Sequence, residues 1–273
     1  MPTVTFDTNV IEFILDPNKM ERGRYRSVLT SEEKAEYLEL RRLIRDCKIR
    51  GCVSRTYFSY EAIRREDRRD ALIGGLELTI PRLSFYARTM AGARYVQTRQ
   101  IKIEGPFRWY LEQMRKYELK ILWNDRKLWP LVPDLVGEDY LPCEEAVFNA
   151  RQREAAKVVE EELLTGFSIL ESELRMFRGD TKNSLHMLLV PRAGDEEREA
   201  RFFKKIFPSL IGEAADGDMV ISHYAHCCDY LCTNDQGEGF GGGRSIFASR
   251  NVKQLSEKLG VKIVTPHELL HDL

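Results

Sequence analysis

Four carboxylates in the sequence stand where they could share a metal ion. Asp7 and Asp235 each follow a short apolar run that we expect to be a buried strand, and Glu61 lies one turn into the helix expected after another such run. Asp218 is expected at a helix N-terminus, where the helix dipole tolerates an anion. The carboxyl ends of adjacent parallel strands meet at one edge of a sheet, so we expect these side chains to converge there.

Converging carboxylates predict a hard divalent cation. Several of them held close together cannot all stay ionised at pH 7 unless a cation neutralises them. Oxygen ligands without imidazole or thiolate select Mg²⁺ or Mn²⁺. Each acid also has a purely structural interpretation: an Asx turn at Asp7, an ion pair of Glu61 with Arg64 or Arg65, a helix cap at Asp218 or in its place Asp216, and a turn at Asp235.

A parallel sheet must position these acids, and strands alternate with helices at both ends of the sequence. This alternation predicts an α/β fold with a central parallel sheet covered on both faces. Thr30 with Glu33, and Thr265 with Pro266 and Glu268, predict two helix starts. The expected strands are Thr3–Phe6, Cys52–Ser54, Asp229–Thr233 and Val261–Val264, and the expected helices include Asn9–Leu15, 59–73, Asp218–Cys228 and Asn251–Gly260.

The middle of the chain does not follow this alternation. Helices are expected over Pro106–Asn124 and Cys143–Gly179, and irregular strand or hairpin structure over 76–103. We therefore predict that residues 1–79 and 186–273 form one α/β domain and that residues 80–185 are a mainly helical insertion.

The charge is unevenly distributed along the chain. Residues 19–127 hold 26 Lys and Arg against 15 Asp and Glu, a net charge of +11, whereas residues 128–273 have a net charge of −9. An arginine-rich segment suits a polyanion such as nucleic acid, and mutual neutralisation of the two parts is the alternative. Trp109, Tyr110 and Trp123 could stack on bases or pack in the core.

Bulk composition predicts a cytoplasmic protein with no membrane partner. The sequence has no apolar run of transmembrane length and no secretory leader, and its six cysteines lack the spacing of a disulfide framework. A zinc site built from Cys228, Cys232, His223 and His226 is a weaker alternative to a buried helix. A homodimer is compatible with the sequence.

Two terminal blocks resemble the PIN domain nucleases. The first is Asp7-Thr8-Asn9 after a strand, followed by Glu61 in the next strand–helix unit, and the second runs from Asp218-Met219-Val220-Ile221 to Thr233-Asn234-Asp235. The closing strand, Thr265-Pro266 and helix are similar to the end of many PIN domains. The resemblance covers about residues 1–75 and 205–273.

The resemblance implies a three-layer α/β/α sandwich, a PIN-like fold with one or two Mg²⁺ or Mn²⁺ ions, and hydrolysis of phosphodiester bonds, usually of RNA. It implies that Asp7, Glu61, Asp218 and Asp235 are the catalytic, metal-binding acids and that Asn9 and Thr233 support them. Two departures stand out: the helical insertion is additional, and glycines follow Asp235 where many members have another acid.

Other functions compete with a ribonuclease. A catalytically inactive PIN-like module that binds RNA or protein is the main alternative. A haloacid dehalogenase phosphatase would need an aspartate where the chain has Asn9. The glycines of 237–243 lack the Gly-Lys-Ser/Thr of a nucleotide-binding loop.

Overall fold

A computed structural model of the protein describes residues 1–23, 25–61, 63, 72, 103, 105–124, 126, 128–178, 201–237 and 243–273. The strands are β1 (Thr3–Phe6), β2 (Arg50–Ser54), β3 (Lys120–Leu122), β4 (Tyr230–Cys232) and β5 (Ile263–Val264). The α-helices are α1 (Thr8–Leu15), α2 (Tyr25–Val28), α3 (Ser31–Arg45), α4 (Pro106–Lys116), α5 (Glu145–Ala156), α6 (Phe167–Arg178), α7 (Phe207–Ala225), α8 (Ser249–Leu259) and α9 (Pro266–Asp272). Short 3₁₀ turns are Pro17–Glu21 and Gly137–Asp139, and π-helical turns are Tyr57–Glu61, Lys157–Glu162 and Phe202–Ile206.

The strands form a parallel sheet in the order β3-β2-β1-β4-β5. β1 is central, with Thr5 opposite Cys52 of β2 on one side and opposite Leu231 of β4 on the other. The predicted α/β class with a central parallel sheet is confirmed.

Side chains alternate along β1 and bury both faces of the sheet. Val4 and Phe6 belong to a core that also contains residues of α1, α3, α4 and α9. Leu231 faces the opposite side, in a second core formed with α7 and α8. Because each face is covered by its own helices, a charged group on the central strand β1 can reach solvent at the ends of the strands.

Two helices begin with the side-chain caps that the sequence predicts. Thr30 and Thr265 each accept a hydrogen bond from the backbone of the glutamate three residues on, as the capping boxes predict. The expected start at Asp218 is wrong, because α7 already begins at Phe207 with Pro208 in its first turn. Asp216 and Asp218 therefore lie inside this helix, and neither of them caps it.

The predicted insertion contributes to the sheet. Lys120–Leu122, expected as the end of a helix, is instead β3 and pairs with β2. The division at residues 80–185 stays a prediction, and β3 within that range is a strand of the parallel sheet. The expected helix over Cys143–Gly179 is present as α5, a π-helical turn and α6. The expected strand or hairpin at 76–103 lies outside the described residues except for Ile103, as does most of the helix expected at 59–73.

None of the helices in the described ranges combines the length and apolar character that crossing a membrane requires.

Candidate acidic site at the carboxyl edge of the sheet

The strand order creates a crevice beside β1. From β1 the sheet extends through β2 and β3 on one side and through β4 and β5 on the other. Helices that connect strands on opposite sides diverge at such a point and leave an opening outside the carboxyl ends of the strands. Asp7 directly follows β1 and Asp235 follows β4, so both acids lie at this opening.

Asp7 is held rigidly at the end of β1. Its carboxylate caps α1, with Oδ1 accepting from the Thr8 amide at 2.6 Å and Oδ2 accepting from the Thr233 hydroxyl at 2.7 Å. Only 8% of the residue is exposed. Its pKa is raised to about 6, mainly by burial and also by the charges of Asp235 and Glu61, although the two hydrogen bonds act to lower it.

Thr233 joins the two strand ends. Its hydroxyl donates to Asp7 and accepts from the backbone amide of Asp235 at 2.9 Å. Asn9 completes the link, because its Oδ1 accepts from the Asn234 amide at 3.3 Å and its Nδ2 lies 3.5 Å from the Thr233 hydroxyl. The structure thus places Asn9 and Thr233 where they can orient both acids.

The turn after β4 fixes the exposed carboxylate of Asp235. Its Oδ1 accepts from the Gly237 amide at 2.7 Å. Gly237 has φ +71°, and a Cβ atom there would lie 2.4 Å from the backbone nitrogen of Ala248. This close approach leaves room only for glycine and packs the turn against the segment before α8.

Glu61 reaches the site from the far side of β1. It is the last residue of the turn Tyr57–Glu61 after β2 and is partly buried. Its charge contributes to the raised pKa of Asp7 and also to that of Asp216. Its alternative partners Arg64 and Arg65 lie outside the described residues.

Helix α7 brings two further acids to the opening. Burial raises the pKa of Asp216 well above its usual range, and so do the charges of Asp7, Glu213, Asp235 and Glu61. Glu213 is buried and its Oε2 accepts from the Ile246 amide at 3.3 Å. Burial raises the pKa of Glu213 to about 7, with a contribution from Asp235.

The packing of α7 explains why Asp216 reaches the site. His223 anchors the helix over β1, with its Nδ1 2.9 Å from the Thr5 hydroxyl. Asp216 precedes His223 by about two helical turns, roughly 10 Å along the axis. Asp7 follows Thr5 by roughly 7 Å along the strand. Both displacements start from the contact of His223 with Thr5, and the effect of the Asp7 charge on Asp216 indicates that they lead to the same edge of the sheet.

Asp218 points elsewhere. Two residues correspond to a rotation of roughly 200° around a helix, so it lies on the face of α7 opposite Asp216. Its Oδ1 accepts from Arg126 Nε at 2.7 Å, and its Oδ2 accepts from Trp129 Nε1 at 2.6 Å. Arg126 also pairs with Glu160. Glu61, Asp216 and Asp235 are therefore near enough to Asp7 for their charges to interact with it, whereas Asp218 is engaged in a buried ion pair.

Sequence reasoning missed Glu213 and assigned Asp216 only a capping role. The available signal was their spacing of three residues, which places both carboxylates on one helix face. This spacing is informative only within a helix, and the helix predicted to begin at Asp218 excludes both Glu213 and Asp216.

The histidines and cysteines of the proposed zinc site do not converge. His223 packs on the face of the sheet covered by α7, whereas Cys232 belongs to the core on the opposite face. Burial lowers the pKa of His223 to about 3, so this imidazole stays neutral. Across the described ranges, no group of three or more His, Cys, Asp or Glu side chains is arranged to hold a metal ion.

Basic residues of α3 are engaged locally. Arg42 pairs with Glu39 at 2.6 Å, Arg45 pairs with Asp46 at 3.0 Å, and Arg41 donates to the Tyr117 hydroxyl at 2.6 Å. These partners lie within residues 19–127, so the contacts of this helix do not decide whether residues 128–273 neutralise the basic segment.

The acids should make the stability of the metal-free protein depend on pH. Glu213 has a folded pKa of about 7 against an ordinary 4.5, so the folded state binds more protons than the unfolded state between these values. Lowering the pH from 8 to 6.5 is therefore expected to raise the free energy of unfolding by on the order of 1 kcal/mol. Below 6.5 the buried neutral His223 opposes this gain. Urea unfolding in EDTA measures the slope, Glu213→Gln should reduce it, and a slope of opposite sign would contradict the assignment.

Comparison with known proteins identifies no relative: neither a protein-family model, nor a curated protein, nor a solved structure matches the chain.

Proposed function

We propose that the protein is a nuclease that depends on Mg²⁺ or Mn²⁺ and hydrolyses phosphodiester bonds, with RNA as its preferred substrate. The observation that carries this proposal is the buried carboxylate of Asp7, joined through Thr233 to Asp235 at the opening beside β1. Glu61 and Asp216 lie close enough for their charges to act on the same group. The PIN-like resemblance of the two terminal blocks supports it.

The chemistry of these side chains fits a hard divalent cation. All donors are carboxylate oxygens, and burial together with repulsion by neighbouring carboxylates disfavours the charged forms of Asp7 and Asp216. A cation would remove that repulsion. The described side chains are not arranged as a ligand group. Among these donors, Asp7 is buried, Glu61 and Asp216 are partly buried, and Asp235 is exposed.

In the proposed mechanism, Asp7, Glu61, Asp216 and Asp235 would hold the cation. When bound, it supplies a water of lowered pKa and polarises the scissile phosphate. Thr233 keeps Oδ2 of Asp7 aimed by its hydrogen bond, while the Thr8 amide fixes Oδ1. Glu213, with a pKa of about 7, can hold or release a proton at its carboxyl group beside Asp235, so no histidine is needed.

A cleavage assay tests the proposal. Wild type is expected to cut RNA faster than DNA in Mn²⁺ and not in EDTA. Asp7→Asn, Asp216→Asn and Asp235→Asn should each lower the rate by about a hundredfold or more, since each removes a ligand charge. Glu257→Gln, on the exposed side of α8, is a matched control that should cut normally.

Two outcomes would contradict the nuclease. If the three variants fold and cut as fast as wild type, the acids are not the catalytic site. If wild type binds RNA but cuts nothing with Mg²⁺, Mn²⁺ or other divalent cations, the inactive RNA-binding module is the better description.

A nucleic-acid partner and a cytoplasmic location belong to this same proposal. They are supported by the net charge of +11 over residues 19–127 and by the free cysteines of the described ranges. Trp123 offers an aromatic surface near the ends of β2 and β3, since it is 37% exposed and Arg55 lies over its ring. Tyr110 is buried and packs in the core instead.

A further inference from the structure

Two thiols meet on the face of the sheet covered by α7. Cys52 lies opposite Thr5 in the parallel pairing of β1 and β2, so both side chains point to the same face. Cys228 follows α7, directly before Asp229, whose amide donates to the Thr3 carbonyl. From this position Cys228 packs against the buried cluster of Cys52, Leu122 and Leu141.

The two thiols differ in exposure and in acidity. Cys52 is fully buried, whereas Cys228 is partly exposed. Hydrogen bonds from Cys52 and from the Thr5 hydroxyl lower the pKa of the Cys228 thiol. The pKa of Cys52 is raised well above its usual range by its hydrogen bond with Cys228 and by burial. A thiolate is the reactive form of cysteine and a peroxide must be able to reach it, so the partly exposed Cys228 is the nucleophile of the pair.

We propose that Cys228 is a peroxide-sensitive thiol and that Cys52 resolves its oxidation to a disulfide. The Cys228 thiolate attacks one oxygen of hydrogen peroxide, the O–O bond breaks, and protonation of the departing hydroxide gives water and a sulfenic acid. The sulfur of Cys52 then attacks the Cys228 sulfur. An S–S bond forms, the S–OH bond breaks, and the thiol proton leaves with the hydroxide as a second water.

The other cysteines lack this arrangement. Cys47 is exposed at the end of α3. Cys227 and Cys143 are both exposed, and burial and the neighbouring Cys227 raise the pKa of the Cys143 thiol. Only Cys228, among the described cysteines, combines partial exposure with a lowered pKa and a buried thiol in contact with it.

Peroxide treatment of the folded, full-length protein tests the pair. Mass spectrometry of peptides, after alkylation of free thiols, is expected to find Cys52 linked to Cys228, with the link removed by dithiothreitol. Cys52→Ser should stop the reaction at the sulfenic acid, which dimedone traps on Cys228. Trapping at Cys228 should be about tenfold faster than at Cys47 although Cys47 is the more exposed of the two, since the lowered pKa of Cys228 raises its thiolate content.

The controls separate this pair from its neighbours. Cys47→Ser should leave the Cys52–Cys228 link intact, and Cys228→Ser should abolish it, with circular dichroism showing that both variants are folded. A link of Cys227 to Cys143 or to Cys228 in wild type would overturn the proposal. So would the absence of a dimedone adduct on Cys228 in folded Cys52→Ser. Neither readout depends on nuclease activity.

Discussion

Asp7→Asn is expected to make the metal-free protein more stable while removing the proposed activity. Asp7 has a folded pKa of about 6 against an ordinary 3.8, so its charged form is disfavoured by folding. The charged carboxylate therefore lowers the free energy of unfolding by on the order of 3 kcal/mol. This destabilisation is fully present above about pH 6 and is lost as the pH falls to 3.8. Asparagine has no charge to bury and still accepts from the Thr8 amide. Urea unfolding at pH 8 in EDTA measures the gain.

The reference for this measurement is Glu257→Gln, which removes an exposed charge and should change the free energy of unfolding by less than about 0.5 kcal/mol. Mn²⁺ should raise the unfolding midpoint of wild type at pH 8 and have a smaller effect on Asp7→Asn. If Asp7→Asn is less stable than wild type at pH 8, the buried charge of Asp7 does not destabilise the metal-free protein. We would then be wrong to infer that this carboxylate requires a bound cation.

Asp218→Asn should have the opposite effect on stability. The carboxylate neutralises Arg126 in the interior and also accepts from Trp129. Removing its charge leaves Glu160 as the remaining carboxylate paired with the guanidinium among the described residues, and this loss is expected to cost about 3 kcal/mol. Thermal or urea unfolding measures the loss, and the stabilisation by Mn²⁺ should persist in the variant.

Asp216→Asn is the matched comparison, since it changes the same residue type on the opposite face of α7. It should stabilise the metal-free protein and reduce its response to Mn²⁺. If Asp218→Asn instead behaves like Asp7→Asn in both respects, Asp218 belongs to the metal site and the ion pair with Arg126 is incidental.

The placement of Asp7 and Asp235 could be predicted because it depends on local patterns. Each follows a short apolar run, and parallel strands have their carboxyl ends at one edge. The roles of Asp216 and Asp218 could not be separated in this way. Their distinction depends on the start of α7 and on Arg126, which lies 92 residues away in sequence. Contacts of that kind are tertiary, and no window of the sequence contains them.

β3 was missed for a different reason. Lys120–Leu122 is three residues long and directly follows α4 and its short connection. A run of this length has too few positions to separate a period of two from one of 3.6. Only its pairing with Cys52, Val53 and Ser54 identifies it as a strand.

The hydrogen bond between Thr233 and Asp7 also bears on how the chain folds. It joins residues separated by 226 positions in sequence, and the central strand pairs on one side with a strand equally distant. Contacts this far apart incur a large entropic cost of loop closure before they stabilise anything, which slows folding. We expect the acidic edge to assemble late, so that collapsed intermediates would contain helices but no metal site. The time at which metal binding appears during refolding would then mark the pairing of β1 with β4.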